Sequence, residues 1–392
     1  MSALAPRWRV LLGLMVARIA FGFSFQSLPT LAPGIAGDLQ LDALAIGTLV
    51  GLFMLPGFFI ALPGGLLAQR FGERRPLLAG LAAMTIGAAA CGFAESYTTL
   101  WLARLLSGVG AAVVTVVMTK LVIDWFSGHE IGTAMGLFLG GYPAGIGLAL
   151  LGLGNFAVPG QWTTGFAITA LLCATGLLVA WLTTHPKPAL ESSGNQSVRL
   201  TLREMVLVTC ASSVASIYNA GYLVMLGFMP LYLVAEGYEP PVAAAIMGAG
   251  VWMSILSVPL GGFVTDKVKR PDTIMIGGAL LWAAGMWGAI PLMDSTFGLG
   301  ILFAVLSLVG AFPVGAMVAL GAQATRASSR GLGMGLYYSW FYGTAAAGPA
   351  LAGYILDQTE PWVTVALVSA SGVLAVIFLL FFRTVQRLSG PV

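Results

Sequence analysis

The sequence predicts an all-α membrane protein, and three observations lead to that fold class. Hydrophobic residues make up 58% of the 392 residues and charged residues only 8%, whereas soluble domains carry about 25% charged residues. The apolar residues form runs long enough for α-helices to cross a bilayer, far longer than the alternating segments of a membrane β-barrel. The 52 glycines suit helices that approach one another closely in lipid.

Twelve apolar runs have the length of transmembrane helices. They lie at residues 10–32, 44–68, 76–95, 98–122, 131–157, 162–183, 204–234, 242–264, 273–293, 297–322, 332–355 and 362–382. The polar interval after the sixth run is the longest, and its Pro, Ser, Gly and Asn content is typical of a linker. We therefore predict an N-terminal six-helix bundle over residues 1–184, a cytoplasmic linker over 185–203 and a C-terminal six-helix bundle over 204–392.

Short sequence patterns recur in the two halves at offsets of about 200 residues. Ser107–Ala111 in the fourth run matches Ser307–Ala311 in the tenth, and Ala134–Gly136 matches Gly333–Gly335. Such duplication is the signature of a transporter built from two related bundles, with its substrate site at their interface near the midplane. The predicted fold is therefore twelve transmembrane helices in two pseudo-symmetric six-helix bundles.

The basic residues outside the runs predict the orientation in the membrane. Those on the side shared by both termini are Arg7, Arg9, Arg70, Arg74, Arg75, Lys187, Arg199, Arg203, Lys267, Lys269, Arg270, Arg326, Arg330, Arg383 and Arg387. The loops on the opposite side carry only acidic residues. By the positive-inside rule we predict a multi-pass protein of the plasma membrane, in bacteria the inner membrane, with both termini in the cytoplasm.

Three basic residues, Arg18, Arg104 and Lys120, lie within the runs, and no acidic residue lies near the middle of any run. A charge there costs at least about 2.5 kcal/mol, so it usually faces a cavity or a partner. Arg18 shares a helix face with Phe21 and Phe25, and its guanidinium can hold a carboxylate-like anion with two hydrogen bonds. These residues predict an anion site at Arg18; a structural role, capping carbonyls of a broken neighbouring helix, is the alternative.

The other two cations have more than one interpretation. Arg104 shares a face with Gly108, a helix-contact surface, and is predicted to be structural, with a direct substrate role as the alternative. Lys120 lies on roughly the opposite face of the same helix. It either lines the anion path as a second cation or extends to the cytoplasmic surface near Asp124.

Polar and aromatic side chains in the second half are candidates to orient the substrate. Tyr218, Asn219 and Tyr222 lie in the seventh run, where Asn219 follows Arg18 by about 201 residues and is its approximate pseudo-symmetric partner. Tyr338 and Tyr342 form a similar face in the eleventh run. Core packing is the alternative for these tyrosines. Three weaker candidates, each more often a helix-to-helix hydrogen bond than a ligand, are Gln26, Tyr142 and Gln323.

The inventory of reactive residues argues against catalysis. There is no His/Cys/Asp cluster with metal-ligand spacing, no phosphate-binding glycine loop before a lysine, and no nucleophile with a base nearby. The loops are too short for an ATPase domain, so transport would be secondary. We predict no enzyme activity, cofactor, metal or nucleic-acid partner. We expect the protein to be a monomer. Its expected partners are lipid, a small anion as substrate, and a proton or counter-anion as the coupling ion.

Several motifs resemble the signatures of the major facilitator superfamily. The pattern of Gly65, Gln69, Arg70, Gly72 and Arg74 resembles the family's loop 2–3 signature, although Gln69 stands where aspartate is usual. This departure implies a weaker helix-end contact in the first half.

Further resemblances extend along the chain. Asp266 and Lys267 resemble the second copy of the loop signature, Arg104–Gly108 the span 4 signature, and Gly141–Gly145, with Pro143, the span 5 glycine–proline motif. The resemblance implies the major facilitator fold and gating or structural roles for these residues. It also implies that Asp266 makes, in the second half, the helix-end contact that Gln69 weakens in the first.

Within the superfamily the chain most resembles cyanate/2-nitroimidazole-type transporters. The matching pieces are Arg18 followed by Leu28–Pro29, Asn219–Tyr222, and Gly310–Pro313. Nitrate/nitrite porters are a near alternative, but they would be expected to carry an arginine inside the second and eighth runs, and neither run has one here.

The function we predict is alternating-access transport of a small anion, secondary active or facilitative. The anion would be an organic carboxylate or a cyanate- or nitrate-like ion. One alternative is efflux of neutral or amphipathic drug-like compounds, and a remote one is a membrane receptor or sensor without transport. The sequence leaves open the substrate, the direction of transport and the coupling ion.

Overall fold

The computed structural model describes residues 6–60, 73–126, 131–184, 200–326 and 329–388, and the regular elements in these ranges are all helices. The α-helices are α1 Pro6–Leu39, α2 Ala43–Leu52, α3 Leu55–Ile60, α4 Arg74–Gly92, α5 Tyr97–Phe126, α6 Ile131–Leu153, α7 Trp162–Thr183, α8 Leu202–Ala235, α9 Pro240–Val268, α10 Pro271–Met286, α11 Thr296–Ala311, α12 Val314–Gln323, α13 Arg330–Leu356 and α14 Val363–Leu388. Helices occur in each of the twelve predicted runs, which confirms the all-α prediction. Among the described residues, ten helical segments are long and apolar enough to cross a membrane.

Local sequence signals explain where several helices begin and end. Thr201 and Glu204 form a capping box at the start of α8: the Thr201 hydroxyl accepts a hydrogen bond from the Glu204 amide at 3.2 Å, and the Glu204 carboxylate accepts one from the Thr201 amide at 2.9 Å. Helices α9 and α10 have proline in their first turn, where no intrahelical donor is needed. Lys269 ends α9 in the left-handed conformation, with φ of 55°.

Two of the predicted runs contain a helix break. The second run is interrupted at Phe53–Met54, between α2 and α3, and the tenth at Phe312–Pro313, between α11 and α12. Pro56 follows the first break and Pro313 lies within the second. A proline cannot donate a backbone hydrogen bond to the preceding turn. Because Pro313 has no N–H to donate to the Val309 carbonyl, that carbonyl accepts a hydrogen bond from the Phe312 amide instead, at 3.3 Å.

The chain divides into two compact units by its internal contacts. Unit 1 comprises Met1–Leu41 and Leu52–Gly194, and unit 2 comprises Asp42–Gly51 and Asn195–Val392. The division at residues 194 and 195 falls within the predicted linker, whereas residues 42–51, predicted to belong to the first bundle, group with unit 2. The three-part domain boundaries remain a prediction.

Within unit 1, glycines bring helix backbones into direct contact. A Cβ atom on Gly22 of α1 would lie 2.2 Å from the Tyr142 carbonyl oxygen of α6, and one on Gly145 would lie 2.1 Å from the Ile19 carbonyl oxygen. Because either substitution would force the backbones apart, α1 and α6 require small residues at this crossing. Helix α1 also packs against α7, and α4 packs against α5 and α7.

Within unit 2, α8 packs against α13 and α14, α9 packs against α11, and α10 packs against α14. Trp282 of α10 is 2% exposed and lies against Gly221 of α8, Gly310 of α11 and Gly372 of α14. One large ring therefore fills the space between four helices.

The segment Asp42–Gly51 packs against α13 within unit 2. Cβ atoms on Gly47 and Gly51 would lie 2.1 and 2.0 Å from the Pro349 and Ala346 carbonyl oxygens. The Asp357 carboxylate accepts hydrogen bonds from the first two amides of α2, those of residues 43 and 44, at 2.7 and 2.8 Å. A carboxylate at a helix N-terminus satisfies otherwise unpaired donors and interacts favourably with the helix dipole.

Candidate functional site

The Arg18 guanidinium lies among aromatic rings in unit 1. Its Cζ atom is 4.9 Å from the centroid of Phe21, 5.2 Å from Phe138 and 5.3 Å from Tyr142, distances at which cation–π attraction is effective. Its Nη1 atom donates to the Thr115 hydroxyl at 3.4 Å, and the residue is half-buried. The arrangement holds a positive charge in a ring-lined environment and leaves part of the side chain accessible.

Helical periodicity and one glycine produce this ring cluster. Phe21 follows Arg18 by one turn of α1, and Phe138 and Tyr142 are one turn apart on α6, so each pair shares a helix face. The stem of Arg18 lies against Gly141, where a Cβ atom would be 3.2 Å from the Arg18 Cβ and Cγ atoms. The close approach of α1 to α6 thus brings the two faces together around the guanidinium.

Arg104 supports the backbone of α1. It is 1% exposed, and its Nη1 and Nη2 atoms donate to the carbonyl oxygens of Ser24 and Phe25, each at 2.7 Å. Pro29 follows Phe25 by one helical turn and has no N–H to donate to that carbonyl. Arg104 therefore supplies the donor that the proline removes from α1, and its guanidinium also lies over the Phe53 ring at 4.5 Å.

Lys120 belongs to a separate cluster of charges. Its ammonium group forms ion pairs with the carboxylates of Glu73 and Asp124, the latter at 2.9 Å. Two carboxylates thus balance this charge at the end of α5. Of the two interpretations of Lys120, the contact with Asp124 agrees with extension towards the surface, and we leave Lys120 out of the candidate site.

Two further predicted ligands are core residues. Phe25 is 0% exposed and packs against Phe53 and Tyr142, with ring centroids 5.7 and 6.2 Å apart. Tyr218 is 4% exposed, its ring lies 4.8 Å from Trp282, and its hydroxyl donates to the Gly310 carbonyl oxygen at 2.7 Å. Because neither side chain has surface available for a substrate, we leave both out of the candidate site.

The other four predicted ligands have accessible surface in unit 2. Asn219 and Tyr222 are half-buried on one face of α8, and the Asn219 amide forms no hydrogen bond with another residue of the described ranges. Tyr338 is 38% exposed and contacts Phe341 at 6.2 Å. Tyr342 is half-buried and lies 5.9 Å from the same ring. These four side chains therefore keep some accessible surface, although the Tyr222 hydroxyl also pairs with Ser254 of α9.

The signature motifs are described in part. The residues Gly65, Gln69, Arg70 and Gly72 lie outside the described ranges, as does the side chain of Asp266. Arg74 donates from Nη2 to the Trp181 carbonyl oxygen at 3.0 Å, and Lys267 is exposed near the end of α9. Gly108 allows α5 to approach the carbonyl oxygens of residues 52 and 53, and Pro143 lies within α6.

The ends of the helices in unit 2 carry two ion-pair clusters. Glu204 accepts hydrogen bonds from Nε and Nη2 of Arg326 at 3.0 and 2.9 Å, and also from the Ser329 hydroxyl. The Glu204 carboxylate raises the pKa of the Arg326 guanidinium through these hydrogen bonds. Arg383 of α14 similarly binds both carboxylate oxygens of Asp272 of α10. These clusters fasten loops and helix ends and are distinct from the candidate site.

Sequence reasoning missed Thr115 and Phe138 as neighbours of Arg18. The spacing of Phe138 and Tyr142 placed them on one face of α6, but nothing in the sequence indicated that this face meets Arg18. The glycines at 141 and 145 were the available signal, since they mark where α6 can approach another helix. Within the described residues, no group of three His, Cys, Asp or Glu side chains could hold a metal ion.

Known proteins similar to this chain are membrane transporters. The family model described as Major Facilitator Superfamily matches residues 14–271 and 237–391. The 3-(3-hydroxy-phenyl)propionate transporter of Escherichia coli (strain K12) is 28% identical over 400 residues, covering 97% of this chain and 96% of that protein. The hexuronate transporter of Bacillus subtilis (strain 168) is 25% identical over 408 residues, covering 97% and 95%.

A solved structure shares the fold. The crystal structure of a mutant of the nucleoside transporter NupG matches with a TM-score of 0.79, covering 97% of this chain and 100% of that chain at 14% sequence identity. At this identity the likeness extends to the fold alone. It agrees with the all-helical transporter fold predicted from the apolar runs.

Proposed function

Because this chain belongs to the major facilitator superfamily, we propose that it is a secondary transporter that carries an organic carboxylate across the membrane by alternating access. Arg18 is the residue that binds the carboxylate. The observation that carries the proposal is the position of its half-buried guanidinium, inside a membrane-spanning helix and among three aromatic rings.

The hydrogen-bonding geometry of Arg18 suits an incoming carboxylate. Its bond to the Thr115 hydroxyl is 3.4 Å long, beyond the usual limit of about 3.2 Å for such bonds. A carboxylate accepts two parallel N–H bonds from a guanidinium, and these charge-assisted bonds are roughly twice as strong as neutral ones. Binding would therefore replace a weak contact with a stronger pair.

The surroundings of Arg18 favour an organic anion over a small inorganic one. The rings of Phe21, Phe138 and Tyr142 offer apolar surface to the hydrocarbon part of a ligand. A small hydrated anion would lose its water there without that compensation. One relative, aligned over 60% of this chain, is named as an amine transporter. Two relatives, each aligned over 97% of this chain, are named as transporters of a phenylpropionate and of a hexuronate, both carboxylates. Neither is a cyanate- or nitrate-like ion.

Unit 2 is considered by itself, and there we propose Asn219, Tyr222, Tyr338 and Tyr342 as candidate ligand-binding residues. Their support is accessible surface together with hydrogen-bonding or aromatic groups. The proposal keeps two predictions: both termini lie in the cytoplasm, and the protein is a monomer. It leaves a proton that travels with the carboxylate, or a counter-anion, as the coupling partner.

The test is thermal stabilisation of the purified full-length protein by a ligand panel. The panel contains 3-(3-hydroxyphenyl)propionate, D-glucuronate, the amide of each, nitrate, cyanate and the cationic dye ethidium. A ligand that binds only the native state stabilises it by RT ln(1 + [L]/Kd), about 2.7 kcal/mol at 100 Kd. The variants are Arg18→Ala, Arg18→Lys and, as a surface charge control, Arg387→Ala, because Arg387 is exposed near the end of α14.

The proposal expects an upward shift in Tm with a carboxylate and no shift with its amide. Arg18→Ala should abolish the shift, Arg18→Lys should weaken it because lysine lacks the planar fork, and Arg387→Ala should retain it. Stabilisation by ethidium or the amides, unchanged in Arg18→Ala, would overturn the carboxylate assignment and favour efflux of cationic or neutral compounds. Stabilisation by nitrate or cyanate alone would restore the inorganic-anion alternative.

A further inference from the structure

Tyr142 is the most accessible of the three rings around Arg18. Phe21 is 5% exposed and Phe138 is 0% exposed, whereas Tyr142 is half-buried, as Arg18 is. The Tyr142 ring lies 5.3 Å from the Arg18 Cζ atom and 5.4 Å from the Phe21 ring. It thus contacts the guanidinium while retaining surface of its own.

The backbone at Tyr142 is fixed against α1. A Cβ atom on Gly22 would lie 2.2 Å from the Tyr142 carbonyl oxygen, and the flanking glycines, Gly141 and Gly145, lie against Arg18 and the Ile19 carbonyl oxygen. The backbone that carries the ring therefore cannot withdraw from Arg18 unless α6 moves away from α1.

Tyr142 also packs against the part of α1 that Arg104 supports. Its ring lies 6.2 Å from the Phe25 ring, and the Phe25 carbonyl accepts a hydrogen bond from Arg104. The neighbours of the Tyr142 ring on α1 therefore include a residue whose backbone is held by a buried arginine.

Ring contact and anion binding use different parts of a guanidinium. Rings that attract the cation do so through their faces, whereas a carboxylate binds along the N–H edge. A free arginine side chain has large rotamer entropy, and fixing the side chain before the ligand arrives reduces the entropy that binding must remove.

We propose that Tyr142 is a positioning residue for the carboxylate site: its ring holds the Arg18 guanidinium in the orientation that presents two N–H groups to the substrate. This inference rests on the proposed function of Arg18. It assigns the effect to the ring and not to the hydroxyl, so phenylalanine should replace tyrosine and an aliphatic side chain of similar size should not.

The test compares Tyr142→Phe and Tyr142→Leu in the full-length protein. Uptake of 3-(3-hydroxyphenyl)propionate, or of D-glucuronate if only that probe binds, is measured in proteoliposomes to separate KM from the maximal rate. We expect Tyr142→Leu to raise KM about fivefold, the order of one cation–π contact, with the maximal rate within about twofold. Tyr142→Phe should keep KM within about twofold of the parent protein.

A second readout needs no substrate. The rate at which phenylglyoxal modifies Arg18, resolved by mass spectrometry, should rise at least about threefold in Tyr142→Leu and stay unchanged in Tyr142→Phe, because the ring restrains the guanidinium. The control is Phe126→Leu, which removes a buried ring that packs on Trp8, 5.1 Å away, at the end of α5. It should lower Tm without changing KM or the modification rate.

An unchanged KM and modification rate in Tyr142→Leu would overturn the inference while leaving Arg18 as the carboxylate site. Equal effects of the Phe and Leu variants would also overturn it, because they would assign the role to the hydroxyl. Stabilisation of the parent protein by ethidium or the amides alone would instead overturn the proposed function, and the inference with it.

Discussion

The two units share a helical plan but are held together by different kinds of contact. In unit 1, a Cβ atom on Gly110 of α5 would lie 2.3 Å from the Gly80 carbonyl oxygen of α4, so backbone meets backbone. In unit 2, a Cβ atom on the corresponding Gly310 of α11 would lie 2.8 Å from the nearest Trp282 ring atom and 3.0 Å from the Tyr218 hydroxyl. Both copies of the repeated motif have the glycine, but it packs against backbone in unit 1 and against side chains in unit 2. A matching motif therefore does not imply matching packing.

The units also differ in how they satisfy backbone carbonyls beside a proline. In unit 1 a charged donor on α5, Arg104, reaches two carbonyls of α1. In unit 2 a neutral donor on α8, Tyr218, reaches the Gly310 carbonyl near the break at Phe312–Pro313. The cations inside the predicted runs all lie in the first half. The hydrogen bond from Tyr218 in unit 2 therefore satisfies its carbonyl without placing a charge in the membrane interior.

The largest effect is expected from Arg104→Leu, which would remove the charged donor of unit 1. The Ser24 carbonyl keeps the Ser27 hydroxyl as a donor at 2.9 Å, whereas the Phe25 carbonyl loses the donor that replaces the missing amide of Pro29, at a cost of about 1–3 kcal/mol. The cation–π contact with Phe53, worth about 2 kcal/mol when desolvated, is lost as well, so the free energy of unfolding should fall by about 3 kcal/mol. The measurement is the Tm and the folded yield in detergent. A variant as stable as the parent would show that α1 does not need this donor.

A smaller effect is expected from glycine-to-alanine changes that probe the two packing modes directly. Gly110→Ala would drive a methyl group into backbone atoms of α4, and overpacking of this kind typically costs about 1–3 kcal/mol. The methyl group of Gly310→Ala would overlap less, because its nearest atom, in the Trp282 ring, lies at 2.8 Å and not at 2.3 Å as for Gly110, so its cost should lie nearer the lower limit. Chemical denaturation of the two variants checks the order. The reverse order would refute the distinction between backbone and side-chain contact.

The smallest effect is expected from Tyr218→Phe, which keeps the ring against Trp282 and removes only the hydroxyl. A neutral hydrogen bond contributes about 1 kcal/mol net, so Tm should fall slightly. Because Tyr218 is a core residue here, binding of the carboxylate probes should not change. A selective loss of binding without loss of Tm would return Tyr218 to the candidate site.

The fold was predictable because the bilayer itself fixes the length of its elements. Hydropathy located all twelve runs, since each had to contain about 20 apolar residues. The helix breaks at residues 53–54 and 312–313 were not predicted. A span can be interrupted without any change in hydropathy when neighbouring groups satisfy the freed carbonyls.

The candidate site was predictable only in part, because a polar residue within a span has several uses. Arg18 was identified by the cost of its charge, and Phe21 by its place on the same helix face. Tyr218 looked equally suited to a ligand, but its acceptor is a carbonyl 92 residues away. A single sequence does not pair residues at that distance. For Lys120, the sequence offered both a path-lining role and a contact with Asp124, and the structure contains that contact.

Arg104 supplies the hydrogen bond that Pro29 cannot donate to the Phe25 carbonyl. Residues 29 and 104 are therefore expected to depend on each other in evolution as well as in the structure. With alanine at residue 29, the amide there could bond to the Phe25 carbonyl, and Arg104 would then be a buried cation with one fewer acceptor. If Arg104 is lost first, that carbonyl has no donor at all. The order of the two substitutions therefore matters, and descendants of this chain are expected to change Pro29 before Arg104 or to keep both.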